Sequence, residues 1–347
     1  MNQKKKPLEM HRILIVAPLK YGTTSFSRLK ALKNIFKAVE AIDITPYINN
    51  LSLWKQLLTN HMYVGGNLSC INREVIKRCA KFGPDMLWVD KGLYVWPQTL
   101  KDVRRRGSLL IHFSPDNHMI PSNQNSHYRN SIPLYDIHIT TKMHNVEWLL
   151  EHGAPAAKYI GNGFDPDIHR PITLTEKECE VFGCDVGFVG HWEPAREEAL
   201  LWLYKKGYRM KVWGGNWEHA RHRKHPLFIG ARHLVGDEYT KAICGAKINL
   251  CFLSLWHKDK TTDRSVEIPA CGQFMLAERN EEHLKFFEDG IEAEFYENDD
   301  EMIEKINYYL EHEDERKAIG QFGRKRCLAG YSNEARLRSV LQEIIQE

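Results

Sequence analysis

The chain has 347 residues, of which 43% are hydrophobic and 11% aromatic, enough apolar side chains for two cores. At roughly 100–200 residues per domain, this length predicts two domains. The net charge of +3, from 48 basic and 45 acidic residues, is too small for a dedicated nucleic-acid-binding protein but suits an anionic small-molecule ligand.

The eight cysteines are scattered and form no C-x-x-C pair, which favours reduced thiols over disulfides or a zinc framework. The first apolar run, Ile13–Ala17, ends at Pro18 and is too short for a signal-peptide core or a membrane span. No other run approaches ~18 apolar residues. We therefore expect a cytoplasmic protein without a transmembrane segment.

Apolar runs alternate with helical patterns along the first half of the chain, as in parallel α/β sheets. A first helix is predicted over Ser27–Phe36, and the pattern around Leu51–Leu58 allows a further helix. The strands predicted in this half are Ile13–Ala17, Met86–Val89, Leu109–Phe113 and Ile137–Thr140.

A connector rich in glycine, proline and aspartate, Tyr159–Pro171, precedes a second series of strands and helices. Its predicted strands are Val186–Val189, Met210–Trp213, Lys247–Phe252 and Phe274–Ala277. Its predicted helices are Ala195–Lys206, Asp237–Cys244, Asp300–His312, Asp314–Leu328 and Ser332–Ile345.

We predict an N-terminal Rossmann-like domain over residues 1–175, a C-terminal Rossmann-like domain over 176–330 and a helix over 331–347 that could pack back on the N-terminal domain. Two such parallel-sheet domains facing each other across a cleft describe the α/β GT-B architecture. The same description fits some epimerases and periplasmic binding proteins, so architecture alone does not give function.

The segment Thr262–Glu278 follows a buried-strand pattern and places Arg264 three residues before Glu267. One helical turn would bring both side chains to the same face. A guanidinium can bind a diphosphate through its forked donors, and a carboxylate can accept both hydroxyls of a ribose. This pair predicts a nucleotide-sugar site, and hence a glycosyltransferase.

A second candidate for the donor site is Asp185–Arg196, which reads as a strand, a glycine-containing turn and the start of a helix. Backbone amides of such a turn can hold phosphate, and we place Gly190 and His191 at the ligand. The alternative is a tight turn with a packed histidine. The basic run Arg221–His225 is either a solvated loop or a contact for a phosphorylated or lipid-linked acceptor.

In the first half, polar residues follow the predicted strand at 109–113, at the end where parallel sheets bind ligands. Asp116 is the leading candidate for a general base that deprotonates an acceptor hydroxyl, with His118 and His112 as alternates. The competing interpretation of Asp116 is an Asx turn or a helix cap. The seventeen histidines of the chain are dispersed, so we expect no metal.

The second half resembles the CgeB/YkvP-like glycosyltransferases, relatives of the GT-B glycosyl transferases group 1. The resemblance rests on Gly187–Arg196, Tyr239–Leu250 and Asp263–Gly272, and on the segments Gly290–Glu294, Tyr308–His312 and Glu315–Tyr331. In the first half it is looser, through Asn162–Asp167 and the loop around Asp116.

The resemblance implies a GT-B fold with the nucleotide-diphosphate sugar on the C-terminal domain and the acceptor facing the N-terminal domain. Glu267 would hold the ribose, and Arg264 and Lys260 would meet the diphosphate. Many retaining relatives carry a second glutamate eight positions before the first, where this chain has Asp259. The stereochemical outcome therefore stays open.

We predict a metal-independent, hexosyltransferase-like enzyme without a cofactor. Its donor would be a UDP-, GDP- or dTDP-sugar, and its acceptor a glycan, a protein or a lipid-linked sugar. One alternative is an epimerase of nucleotide-diphosphate sugars with the same architecture. Another is a non-catalytic nucleotide- or sugar-binding protein in spore or surface assembly.

Overall fold

A computed structural model describes residues 6–48 and 65–346, so the helix allowed around residues 51–58 lies outside the described part. The chain forms two compact units. The first extends to Gly161 and includes the C-terminal segment from Asn333, and the second is Asn162–Ser332. No helix in the described ranges is both long and apolar enough to cross a membrane.

The first unit contains a six-stranded parallel sheet in the order β2-β1-β3-β4-β5-β6. Its strands are β1 (Arg12–Ala17), β2 (Ala38–Asp43), β3 (Met86–Asp90), β4 (Leu109–Ser114), β5 (Ile137–Thr140) and β6 (Ala157–Tyr159). Its α-helices up to Gly161 are α1 (Thr24–Ile35), α2 (Thr45–Ile48), α3 (Gly66–Phe82), α4 (Pro97–Arg104), α5 (Ser126–Ser131) and α6 (Met143–Glu151).

Both faces of this sheet are covered, which explains why its central strands read as continuous apolar runs. In β1, Ile13 and Ile15 face one core, while Leu14 and Val16 face the other. The last helix, which we number α14 (Asn333–Gln346), contributes Leu337, Val340 and Leu341 to the first of these cores and lies against α1.

The second unit contains a five-stranded parallel sheet in the order β11-β10-β9-β7-β8. Its strands are β7 (Cys184–Val189), β8 (Met210–Trp213), β9 (Ala246–Cys251), β10 (Met275–Glu278) and β11 (Glu294–Tyr296). Its α-helices are α7 (Glu176–Phe182), α8 (Pro194–Lys205), α9 (Asp237–Gly245), α10 (Arg264–Ala270), α11 (Glu281–Phe286), α12 (Asp299–Glu311) and α13 (Glu313–Leu328).

The strand order of the second sheet reverses between β7 and β9, which are neighbours although β8 lies between them in sequence. In open parallel sheets, ligands bind at the carboxyl ends of the strands beside such a reversal. The two strands approach each other closely at Gly187, where an added Cβ would lie only 2.6 Å from the Cβ of Ala246. The loops after β7 and β9 are therefore where the fold places a ligand.

The predicted α/β class with two parallel sheets is confirmed. By packing, the chain divides between Gly161 and Asn162, whereas the boundary predicted from the sequence lies at 175/176. The two boundaries differ because most of the connector packs on the second unit. Phe164 is 1% exposed in a core of that unit, and Asp165 turns back through a hydrogen bond to His169.

Candidate functional site

The turn after β7 is built by close contact with the turn after β8. The Gly190 N–H donates to the Trp213 carbonyl at 2.8 Å, and the indole N–H of Trp217 donates to the Gly190 carbonyl at 3.0 Å. A Cβ on Gly214, whose φ is +138°, would lie 1.8 Å from that same carbonyl oxygen. Packing therefore requires glycine at position 214. The contacts between the two turns hold the backbone in place at the carboxyl end of β7.

His191 is the first residue beyond this turn, and its ring is exposed and stacked on His233 with centroids 6.1 Å apart. Partial desolvation and the nearby Arg264 guanidinium lower the pKa of His191 below its ordinary value. A neutral imidazole at this place can donate or accept a hydrogen bond.

A buried arginine that was not among the site residues predicted from the sequence lies beside these residues. Arg196, in the first turn of α8, is 5% exposed, and its Nη1 donates to the His191 carbonyl at 3.0 Å. The same Nη1 lies 3.0 Å from the Glu193 carboxylate. Burial and the charge of Arg264 lower the pKa of Arg196 to about 10. Two guanidinium groups thus share one region of the site.

Arg264 is the first residue of α10, the helix that follows β9 across the loop 252–263. Its Nε is buried and has no hydrogen-bond partner among the residues that the structure describes. Burial opposes its charge, yet neighbouring acidic groups, Glu267 among them, keep the pKa of Arg264 above its ordinary value. A buried cationic donor without a protein acceptor is suited to an anionic ligand.

Glu267, one turn along α10, is 9% exposed, and both its carboxylate oxygens have protein donors. The Tyr239 hydroxyl donates to Oε2. The His169 Nε2 lies 3.3 Å from Oε1, while the His169 Nδ1 accepts the Asp165 N–H at 3.1 Å. Since Nδ1 is an acceptor, the neutral ring carries its proton on Nε2 and donates to Glu267.

This arrangement holds the carboxylate in one orientation while leaving it capacity to accept further hydrogen bonds. Burial raises the pKa of Glu267, against the opposing effects of the Tyr239 hydroxyl and the Arg264 charge. Tyr239 comes from α9, 28 positions before Glu267, and His169 comes from the connector, 98 positions before Glu267. Neither was identified as a site residue from the sequence.

The loop between β9 and α10 carries Lys260 and Asp259. Lys260 is exposed, and its backbone carbonyl accepts the Asn280 side chain at 2.9 Å. The Asp259 N–H donates to the Ser254 carbonyl at 3.0 Å. Burial and the Arg264 charge lower the pKa of Arg196, and the Asp259 carboxylate partly opposes that lowering. Asp259 is thus within electrostatic reach of a buried cation.

Asp116 lies in the first unit, just beyond the carboxyl end of β4, and is half-buried. Its Oδ2 lies 2.9 Å from the Nζ of Lys91, and its carbonyl accepts the Asn145 side chain at 2.7 Å. An Asx turn forms at the next residue, where the Asn117 Oδ1 accepts the Met119 N–H at 2.9 Å.

His112 and His118 lie in a packed aromatic cluster of the first unit, where both are at most 1% exposed. The Nδ1 atoms of His112 and His138 are 2.9 Å apart, and the His118 ring stacks on Tyr128 with centroids 5.0 Å apart. Burial lowers the pKa of His118 to about 3 and that of His112 well below its ordinary value. Both rings are neutral and enclosed, which fits packing better than proton transfer at a surface.

The structure therefore brings Gly190, His191, Arg264 and Glu267 to the carboxyl ends of β7 and β9, with Lys260 on the loop between β9 and α10. It places Asp116, His118 and His112 in the other unit, after and within β4. Among the described residues, no group of three or more histidine, cysteine or acidic side chains is arranged to hold a metal ion.

Comparison with known proteins gives a family match and structural similarity. Residues 196–342 match the family model described as "Glycosyl transferase-like". Comparison with curated protein sequences gives no significant match. The sucrose-phosphate synthase of Thermosynechococcus elongatus superimposes with a TM-score of 0.66 at 12% identity, over 97% of this chain and 99% of that one.

Two further solved structures carry nucleotide sugars. Anabaena HepE in complex with UDP-glucose has a TM-score of 0.64 at 12% identity, with 97% of this chain and 100% of that chain covered. The UDP-GlcNAc 2-epimerase of Neisseria meningitidis bound to UDP-GlcNAc has a TM-score of 0.52 at 14% identity, over 97% and 100% of the two chains. At such low identity these similarities define the fold, which is GT-B.

Proposed function

We propose that this protein is a glycosyltransferase, hexosyltransferase-like and related to the CgeB/YkvP-like group. It would transfer a sugar from a UDP-, GDP- or dTDP-sugar to a glycan, a protein or a lipid-linked sugar. The observation that carries the proposal is the group at the carboxyl ends of β7 and β9, where the Arg264 guanidinium and the oriented Glu267 carboxylate lie together. The family match over residues 196–342 supports it.

In this proposal the second unit binds the donor. Arg264, with Lys260 and the backbone of the Gly190–His191 turn, meets the diphosphate, and the second guanidinium, Arg196, adds positive charge. These groups stabilise the negative charge that develops on the departing nucleoside diphosphate. Glu267 accepts the ribose hydroxyls, and its hydrogen bonds to protein donors keep it oriented for them.

Asp116 is the proposed general base for the acceptor hydroxyl, with His118 and then His112 as alternates. Asp116 is partly exposed, and Lys91 fixes one of its carboxylate oxygens. The two histidines are enclosed by aromatic side chains, which makes them weaker candidates than the carboxylate.

The ribose assignment is tested by affinity for UDP and 2′-deoxy-UDP. Glu267→Ala is expected to weaken UDP binding by about 1–3 kcal/mol, because ribose hydroxyls would lose their acceptor. Tyr239→Phe should lower the ratio of the affinity for UDP to the affinity for 2′-deoxy-UDP, because the Glu267 carboxylate loses one of the donors that orient it. The exposed Glu281→Ala is the matched control. Unchanged calorimetric affinity for UDP in a folded Glu267→Ala protein would refute the ribose role.

We propose that turnover needs no metal ion, since the diphosphate charge is met by arginine and lysine side chains. Activity is expected to persist in excess EDTA. A loss of turnover that manganese or magnesium restores would show that the arginines and Lys260 are insufficient, and would overturn this part of the proposal.

Dependence on an acceptor separates the candidate functions. A glycosyltransferase should release nucleoside diphosphate much faster when an acceptor is added than by hydrolysis alone. An epimerase, the class of the Neisseria meningitidis neighbour, would isomerise the nucleotide sugar with no acceptor present. A non-catalytic binding protein would bind the nucleotide without turnover, and Asp116 would be dispensable.

A further inference from the structure

Two cysteines of the second unit are in contact, one helical turn beyond the contact between Tyr239 and Glu267. Cys244 lies in the last turn of α9, and Cys271 directly follows α10. Their side chains are hydrogen-bonded to each other. Tyr239, five positions before Cys244, donates to Glu267, four positions before Cys271. The same two helices are therefore joined twice, first at the candidate ribose site and then at the cysteine pair.

The cysteine pair also contacts the backbone segments that hold the Glu267 carboxylate. The Cys244 thiol donates to the Arg170 carbonyl, with Sγ and oxygen 3.8 Å apart. Arg170 follows His169, whose ring donates to Glu267. The Cys271 N–H donates to the Glu267 carbonyl at 3.1 Å. A displacement of either sulfur is therefore transmitted to Glu267 and to one of its donors.

The two thiols differ in exposure. Cys244 is half-buried and lines an open groove of about 240 Å³ at the amino ends of β9 and β10, beside Gly272 and Phe274. This is the opposite end of the sheet from the candidate nucleotide-sugar site. Cys271 is fully buried. A small oxidant in the groove therefore meets the sulfur of Cys244 first.

The surroundings of Cys244 favour its thiolate form. The hydrogen bond from the Cys271 thiol lowers the pKa of Cys244, against the effect of burial. The charges of Arg170 and Arg324 act in the same direction as that hydrogen bond. By contrast, burial raises the pKa of Cys184 to about 12. Because the thiolate is the form that reacts with oxidants, an accessible thiolate beside a second cysteine is typical of redox-sensitive sites.

We propose that Cys244 and Cys271 form a redox-sensitive pair, which a hydroperoxide entering the groove converts into a reversible disulfide. An S–S bond of about 2 Å brings the sulfurs closer together than a hydrogen bond between thiols does, and so draws the end of α9 towards α10. The disulfide thereby disturbs the orientation of Glu267 and lowers the affinity for a nucleoside diphosphate. This consequence rests on the ribose role proposed above for Glu267.

The oxidation proceeds in two steps. The Cys244 thiolate attacks one oxygen of hydrogen peroxide, the O–O bond breaks, and hydroxide leaves and takes up the proton that the thiol released, which gives a sulfenic acid and water. The Cys271 sulfur then attacks the sulfenic sulfur, the S–O bond breaks, and a second water leaves with the Cys271 proton. Two thiols thus lose two electrons, and one peroxide is reduced to two waters.

Peptide mapping tests the disulfide. The reduced protein is treated with equimolar hydrogen peroxide, quenched with catalase, alkylated and digested without reductant. A link between Cys244 and Cys271 is expected, and dithiothreitol should reverse it. Cys271→Ser should instead leave a sulfenic acid at Cys244 that dimedone traps. Cys179→Ser, which removes an exposed thiol of the same unit, should leave the link unchanged. Absence of the link, or faster oxidation of Cys179 than of Cys244, would overturn the proposal.

Calorimetry with UDP, GDP and dTDP tests the effect of the disulfide on the donor site. The linked protein is expected to bind about 3–10-fold more weakly than the reduced protein, the worth of one hydrogen bond that loses its geometry. Cys244→Ser should bind equally before and after peroxide treatment. Equal affinity of the reduced and linked wild type would refute the connection to Glu267. If the reduced protein binds none of the three nucleotides, the proposed function fails, whereas peptide mapping still decides whether the cysteine pair reacts.

Discussion

Replacing Asp116 by asparagine is expected to lower turnover by about 10²–10⁴-fold while donor affinity stays near that of the wild type. Asparagine keeps the size of the side chain but cannot accept a proton from an acceptor hydroxyl. Asp116 and the donor-binding residues lie in different units, so the substitution should leave the nucleotide contacts intact. Turnover and calorimetric affinity for the donor, measured on the same preparation, check both parts.

A purely structural role of Asp116 predicts a different outcome. Loss of the contact with Lys91 or of a cap would lower stability by about 0.5–2 kcal/mol with a modest effect on rate. Asp102→Asn, which removes a surface carboxylate paired with Arg105, is the matched control for charge. If Asp116→Asn keeps most of its activity, the base is His118 or His112, or the enzyme retains configuration and needs no such base.

The buried histidines predict a steep loss of stability in mild acid. Burial lowers the pKa of His118 to about 3 and the pKa values of His138 and His283 to about 4. In the unfolded chain these histidines have an ordinary pKa near 6.5. Below that pH the unfolded state therefore binds protons that the folded state does not bind, and the free energy of unfolding falls. Their contribution is complete above pH 6.5 and is lost as the pH falls towards 4.

Each such histidine costs roughly 2 kcal/mol at pH 5, so three of them remove about 6 kcal/mol from a typical stability of 5–15 kcal/mol. Urea unfolding between pH 7.5 and 5 should show this loss in the midpoint. His118→Phe keeps a ring beside Tyr128 and Trp148 and should lessen the pH dependence, although it also loses the hydrogen bond to the Tyr128 hydroxyl. The exposed His219→Phe should leave the slope unchanged. A flat stability profile would contradict the buried, neutral state of these three histidines.

The central strands could be predicted from sequence, whereas of the four edge strands in the two described sheets only β8 was predicted. Strands covered on both faces give an unbroken apolar run, as Ile13–Ala17 does in β1. The edge strand Ala38–Asp43 is only half-buried and carries Glu40, so its pattern has no such run. The three-residue strands β6 and β11 were missed because they are too short to show a period.

Sequence alone could group candidate site residues only where they lie close together along the chain. Arg264 and Glu267 are three positions apart on one helix, so helical spacing was enough to pair them. The donors that hold Glu267, Tyr239 and His169, come from other elements, and only packing brings them together. Arg196 follows the proline that starts α8, which places it near the carboxyl end of β7. The burial of its guanidinium could not be inferred from this spacing.

The central claim, that a nucleoside diphosphate binds at the carboxyl ends of β7 and β9, is tested most directly by titration calorimetry. UDP, GDP and dTDP are titrated into the wild type, into Arg264→Gln and into Arg73→Gln, an exposed arginine of the first unit. At least one of the three should bind the wild type and the Arg73 variant equally and bind Arg264→Gln about 10–100-fold more weakly, the worth of a hydrogen bond to a charged group. Binding of none of them, or equal binding to all three proteins, would contradict the account.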